Sequence, residues 1–326
     1  MQHHHLVTSI IGFFILQTIT FAQIQFSGFA DILLVTPLEA QSEADFQQGQ
    51  IELDISATIR PGINFEGAIA LNPETGTFET GAGFIEMVLT GEDGLHAARG
   101  NSFNHIGLSI GQFDVPFGID WQHIASPDRR LVSAPLLNEK SINGWNDLGI
   151  NLHADLGKFQ FTSFLVNGSA EGFAIGGRSA IKPIEAFELG ISYFSQTAAN
   201  DLDSQPQVLG VDLQTVTGPL STRMEVHYTE DLFEGDFGEI DSVNTHQGYY
   251  IQGDFDLSEI LDIPLVLIGR YDDWSTENDA ESANRITLGA AYNFYDGFEL
   301  RAEYLNDTTS EEDDYNQFVI QALVSF

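Results

Sequence analysis

The chain has 326 residues, no cysteine, and 12 Lys+Arg against 48 Asp+Glu, a formal net charge of −36. That balance excludes nucleic acid and anionic membrane surfaces as partners, because both need a basic face. The lack of cysteine excludes disulfide scaffolds and thiolate metal sites.

In chain order, the first feature is the apolar run Leu6 to Leu16. It is about half the length of a spanning helix and has the size of a signal-peptide apolar region. His3, His4 and His5 stand where Lys or Arg is usual, and Thr20-Phe21-Ala22 supplies the small-residue punctuation. The expectation is a signal peptide over 1–22, cleaved after Ala22, and one domain over 23–326. No later stretch is apolar enough for a spanning helix. A membrane form would therefore have to be a closed barrel, since only helices and barrels satisfy their backbone polar groups in lipid.

From residue 23 onward the dominant pattern has period two. Ile51, Leu53, Ile55, Ala57 and Ile59 alternate with Glu52, Asp54, Ser56 and Thr58. Tyr249, Ile251, Gly253 and Phe255 alternate with Tyr250, Gln252 and Asp254. Phe298, Leu300, Ala302 and Tyr304 alternate with Glu299, Arg301 and Glu303. Such segments are about ten to thirteen residues long, the length of tilted membrane strands. Segmentation predicts about sixteen strands: 24–35, 46–60, 62–72, 77–89, 103–112, 144–155, 158–168, 172–182, 185–197, 206–216, 219–230, 245–257, 263–274, 284–294, 297–306 and 315–326. The expected fold is all-β, a single antiparallel up-and-down transmembrane β-barrel. An even count brings both termini to one side.

The connections test this topology independently. Tight turns are expected at even-numbered connections. Arg60-Pro61-Gly62, Leu156-Gly157, Lys182-Pro183, Gly218-Pro219 and Tyr295-Asp296-Gly297 carry the turn residues. Thr90 to Asn101 is the one long even connection. The longest connection, 113–143, is the third outer loop. The predicted outer loops hold only Arg129, Arg130 and Lys140 as bases, while acidic runs such as Glu311-Glu312-Asp313-Asp314 collect there. We read these runs as solvated loop tips. A divalent-cation site is the alternative, although no calcium-loop spacing is present.

The chain closes on a strand whose Phe318, Ile320, Ala322, Val324 and Phe326 share one face. A terminal amphipathic strand ending in an aromatic residue has the form of an insertion signal, with Phe326 as its last residue. It implies the barrel-assembly machinery and outer-membrane lipid as partners.

About sixteen strands enclose more space than side chains fill, so the polar faces are expected to line water. Arg270, Arg285 and Arg301 fall on consecutive strands 13 to 15, either as a basic patch or paired with Asp272, Glu299 and Glu303. The 113–143 loop, folded inward, would bring Asp114, Asp120, Asp128, Arg129 and Arg130 toward them. These residues, with Lys140 of the same loop, are the candidate pore constriction, where opposed charges set solute size and ion preference. No cofactor is expected. The histidines of the 23–326 region are scattered in sequence, with no HxH or HExxH pair, so no metal site and no enzyme activity are expected.

The segment Ile110-Gly111-Gln112-Phe113-Asp114-Val115-Pro116-Phe117-Gly118 resembles the G-x-F-x-x-P-F-G stretch of the phosphate-selective porin (O and P) family. Gly144-Trp145-Asn146-Asp147-Leu148-Gly149 and Phe164-Leu165-Val166-Asn167-Gly168 extend the likeness over about 103–170. The resemblance implies a bacterial outer-membrane porin: a sixteen-stranded barrel, a homotrimer, with the third loop folded into the pore. Its phosphate-selecting members use an arginine ladder and a lysine cluster. This chain has only Lys140, Lys158 and Lys182, with Arg129, Arg130 and Lys140 in the matching loop. An acidic mouth concentrates cations instead. The expected function is passive diffusion of ions and small hydrophilic solutes. An anion-selective porin, a poorly conducting surface receptor and a secreted soluble β-protein are the alternatives.

Overall fold

A computed structural model describes residues 23–38, 43–72, 76–91, 105–142, 144–168, 172–197, 205–234, 242–276, 281–309 and 315–326. The expected signal peptide, the acidic run 311–314 and most of the long connection after Thr90 lie outside these residues.

Sixteen strands form one closed antiparallel cylinder. They are β1 (Gln23–Pro37), β2 (Asp45–Arg60), β3 (Ile63–Asn72), β4 (Thr77–Thr90), β5 (His105–Asp114), β6 (Asn146–Asp155), β7 (Phe159–Val166) and β8 (Ala174–Ile184). The second half comprises β9 (Phe187–Gln196), β10 (Gln207–Thr217), β11 (Leu220–Glu234), β12 (Ser242–Asp256), β13 (Leu265–Thr276), β14 (Ser282–Tyr295), β15 (Phe298–Thr309) and β16 (Tyr315–Ser325). Each strand pairs with its sequence neighbours, and β16 closes on β1 with Phe29 opposite Ser325 and Pro37 opposite Gln317. Closure leaves no unpaired edge, the condition for strands to sit in lipid.

The period-two pattern explains the two faces. Leu148, Ile150 and Leu152 of β6 are exposed on the outside, as are Leu209 and Val211 of β10 and Ile286 and Leu288 of β14. The intervening residues turn inward and are polar: Asp212, Glu225, His227, Gln252, Asp272, Arg285, Arg301 and Glu303 are all buried. The outward apolar band matches hydrocarbon, where a charged side chain costs roughly 2–4 kcal/mol at mid-depth.

Turns at Gly62, Gly157, Gly218 and Gly297 use left-handed backbone (φ +78, +80, +54 and +78), which glycine adopts without steric cost. The turn expected at Lys182-Pro183 falls three residues later, at Glu185-Ala186. Lys182 and Pro183 form a bulge between Ile181 and Ile184, with Ile184 opposite Phe187. Proline has no N–H to give a ladder, so a bulge accommodates it better than a regular strand position. β11 and β12 extend past the sequence expectation, across a bulge between Thr229 and Leu232.

Candidate functional site

The longest described connection, residues 115–145, joins β5 to β6. It contains a 3-10 turn, Asp120–His123, and a one-turn helix, Leu136–Glu139. Its own backbone is too irregular to satisfy itself, and the polar faces of the strands supply the partners.

On β9, Ser192 Oγ accepts from the Gly118 N–H at 3.0 Å. On β11, Glu225 accepts from the Ile119 N–H at 3.4 Å while contacting His227 Nε2 at 2.7 Å. Asp120 accepts from Tyr250 of β12 at 2.9 Å and pairs with Arg223 of β11 at 3.3 Å. On β13, Arg270 donates to the carbonyls of Ser133 (2.9 Å) and Ala134 (2.7 Å), and Asp272 accepts from the Leu136 N–H at 2.9 Å. Arg285 of β14 reaches Glu139 at 2.9 Å. On β15, Glu303 accepts from the Val132 N–H at 2.7 Å, and Arg301 donates to the Ser126 carbonyl at 2.8 Å. Gln50 of β2 accepts from the Ser126 N–H at 2.8 Å. The partners thus lie on β9, on β11 to β15 and on β2, walls that face one another across the cylinder.

Apolar packing fixes the start of the segment. Phe113, Val115, Phe117 and Trp145 form a buried cluster with Phe164, Val166, Ala174, Phe194 and Val208 on β7 to β10. Phe117 meets both Phe194 and His227 edge-on, at 5.6 and 5.2 Å between ring centroids. Gly118 follows with φ +66, and a Cβ there would stand 1.6 Å from Glu225 Oε1. Only glycine lets the chain turn there and pass over that carboxylate.

The candidate constriction residues separate into groups. Arg270, Arg285 and Arg301 do not form an open basic patch. Each is buried and ion-paired, to Asp272 (2.8 Å), Asp307 (2.7 Å) and Glu299 respectively. Burying a guanidinium is costly unless a carboxylate and further acceptors satisfy it, and the loop carbonyls complete that set. Arg129 donates to Ser126 at 3.3 Å, Arg130 lies 3.9 Å from Glu299, and Lys140 sits 5.3 Å over the Trp274 ring. These three loop bases have different partners and do not converge on one point. Asp120 joins Arg223, Tyr250 and Asn138. Asp114 accepts from Asn146 at 2.8 Å.

Asp114 and Asp128 instead meet Glu52 and Asp54 of β2. Asp54, Asp114 and Asp128 are each close enough to Glu52 to interact with it electrostatically. Glu66 of β3 lies near Asp54 and Glu86 as well. The β2–β4 side of the lumen is therefore an acidic wall, partly exposed, while the β11–β15 side is tied down by ion pairs.

Within the loop, burial and the neighbouring Arg223 hold the His123 imidazole below its usual range. Burial pushes the Asp128 carboxyl up. Burial and then Arg301 push the Arg129 guanidinium down. A cavity of about 130 Å³ remains between loop and wall, bordered by Gln50, Asp120, Arg129, Arg223, His227 and Arg270.

Sequence reading did not assign Arg223, Tyr250, Glu225 or Gln50 to the site. Their inward parity was legible, but their loop partners lie 76 to 130 residues away. Two of the histidines that are scattered in sequence are brought together by the fold. His105 and His153 stand side by side, and Glu86 contacts His153.

This fold, with its tethered β5–β6 connection, defines a sixteen-stranded barrel with the fold of the bacterial porins. No protein-family model matches the chain, and no curated protein matches it in sequence. Among solved structures, it is similar to an anion-selective porin from Comamonas acidovorans, at 12% identity and TM-score 0.72, covering 94% of this chain and 100% of that one. It is also similar to Salmonella typhi OmpF in complex with daunomycin, at 13% identity and TM-score 0.68, covering 94% and 98%. The outer membrane channel DcaP of Acinetobacter baumannii gives 12% identity and TM-score 0.65, covering 94% and 97%. At such identities the likeness is one of fold.

Proposed function

We propose that this chain is an outer-membrane porin, a water-filled channel for passive diffusion of ions and small hydrophilic solutes. The observation that carries the reading is the reversal of polarity across a sixteen-strand wall, with apolar side chains outward and ionisable ones inward. A cylinder of this strand number is too wide for side chains to fill. Segment 115–145 is the constriction, tied across the lumen by its bonds to opposed strands. Solutes pass along the β2–β4 wall, where Glu52, Asp54, Asp114 and Asp128 concentrate cations.

The anion-selective reading draws on one observation: Arg129 is close enough to Arg301 and Arg270 to be repelled by both. Arg270 and Arg301 are already neutralised by Asp272 and Glu299. We therefore favour cation preference and leave the phosphate-selective family as the weaker alternative.

Residues 1–22 are the export signal in this reading, the β16 strand ending at Phe326 directs insertion, and the mature form is a homotrimer. Single-channel recording in planar bilayers tests the proposal. Stepwise currents are expected, with a reversal potential of cationic sign in a KCl gradient. Chloride current blocked by millimolar phosphate would favour the anion-selective reading. Insertion without current steps would favour a surface receptor.

A further inference from the structure

Three neighbouring strands each supply one metal-ligating side chain on the inner wall, away from the ion-paired half of the barrel. Glu86 lies on β4, His105 opens β5 and His153 is near the end of β6. Their parity is inward, since Ile85, Ile110 and Leu152 point out.

Register brings them together. His153 is paired with Gly107, whose missing side chain leaves the notch the imidazole occupies. A Cβ at Gly107 would stand 2.2 Å from His153 Nε2. The ring therefore lies across β5 and reaches both partners, with Nε2 at 3.3 Å from Glu86 Oε1 and 3.2 Å from His105 Nε2. The ligand atoms of all three residues lie within 4.8 Å of one another. Tetrahedral ligands bound at about 2.0–2.1 Å are about 3.3–3.4 Å apart, so two of the three edges already have the required length.

The surroundings complete a built site. Asn64 Nδ2 donates to the second oxygen of Glu86 at 3.3 Å, the kind of outer contact that orients a ligating carboxylate. His105 and His153 border a cavity of about 200 Å³, together with Trp121, Gln122 and Asp155. A fourth ligand, water or a solute group, has room there. Two imidazoles and one carboxylate with an open position suit zinc and its neighbours in the first transition row.

The geometry points to a binding site for one divalent transition-metal ion, held by Glu86, His105 and His153 on the barrel wall and open to the adjoining cavity. It is independent of whether the barrel conducts, because binding is read directly.

The test uses the full chain, refolded in detergent, with His3, His4 and His5 replaced by glutamine to remove a competing histidine run. Zn²⁺ titrated by calorimetry is expected to bind at one ion per chain with micromolar or tighter affinity. His153→Gln and Glu86→Gln should each weaken binding at least about tenfold. Gly107→Ala keeps all three ligands but displaces the His153 ring, and should weaken it too. Heat-dependent gel mobility reports whether each variant remains a barrel. Cu²⁺ bound to the unsubstituted site should show electron-paramagnetic hyperfine coupling to two imidazole nitrogens. Two results would overturn the site: the same affinity in a His105→Gln/His153→Gln chain, or no saturable binding below millimolar Zn²⁺ to the folded barrel.

Discussion

Arg270 and Asp272 stand two residues apart on the inner face of β13, bonded at 2.8 Å, and together grip the 133–136 backbone. Arg270 donates to two of its carbonyls, and Asp272 accepts its Leu136 N–H. The pair is almost fully buried, at 3% and 0% exposure. Asp272→Ala leaves Arg270 uncompensated, and breaking a buried pair in this way costs about 3–5 kcal/mol. We expect a lower thermal midpoint and a noisier open-channel current. An unchanged midpoint and quiet current in that variant would show that the grip does not hold the loop.

Gly118→Ala tests the turn at the head of the loop. Left-handed backbone costs a residue with a Cβ about 1–2 kcal/mol, and the added carbon meets Glu225 Oε1. The Glu225–His227 contact should be displaced and the barrel destabilised by at least about 1 kcal/mol. Denaturant unfolding measures this; wild-type stability would contradict the geometry.

The acidic wall should set ion preference. Replacing Glu52, Asp54, Asp114 and Asp128 with their amides removes the interacting carboxyls. The reversal potential in a KCl gradient should move toward zero, while Asp307→Asn, on the ion-paired side, should leave it nearly unchanged. Equal shifts from both would locate the ion path elsewhere.

Acidification should loosen the loop through His123. Its imidazole is partly buried, contacts the Asp128 carbonyl at 2.8 Å through Nδ1, and faces Arg223, Asp120 and Asp128. Burial and Arg223 depress its pKa. A released loop therefore takes up the proton before the docked one does. The docked state's advantage is complete above the free imidazole range, about pH 6.5, and is lost as pH falls through the lower docked value. Asp128, pushed up by burial, acts in the opposite sense because its protonation relieves the docked loop. Current fluctuations should rise from about pH 7.5 to about pH 5.5. His123→Gln should flatten that rise; an identical pH response would assign it to another group.

Much of the barrel was legible residue by residue. The alternation around Ile51–Ile59 and Tyr249–Phe255 gave strand positions, inward parity and the even count, because lipid contact repeats every second side chain along one strand. The Lys182-Pro183 turn was misplaced because a bulge absorbs a proline that local turn chemistry reads as a break. Arg270, Arg285 and Arg301 were found as inward charges, but either fate, open patch or ion pair, fitted the sequence equally well.

The sequence alone determined which side chains face hydrocarbon and which face the interior, since that choice follows from local periodicity. Only the tertiary structure decided which inward groups meet. His105 and His153, 48 residues apart, became neighbours through strand register and a glycine notch. Arg129, Arg130 and Lys140, close in sequence, were sent to separate partners by the path of one loop. Register and loop path are set by contacts between distant segments, and no pattern within a single strand carries that information.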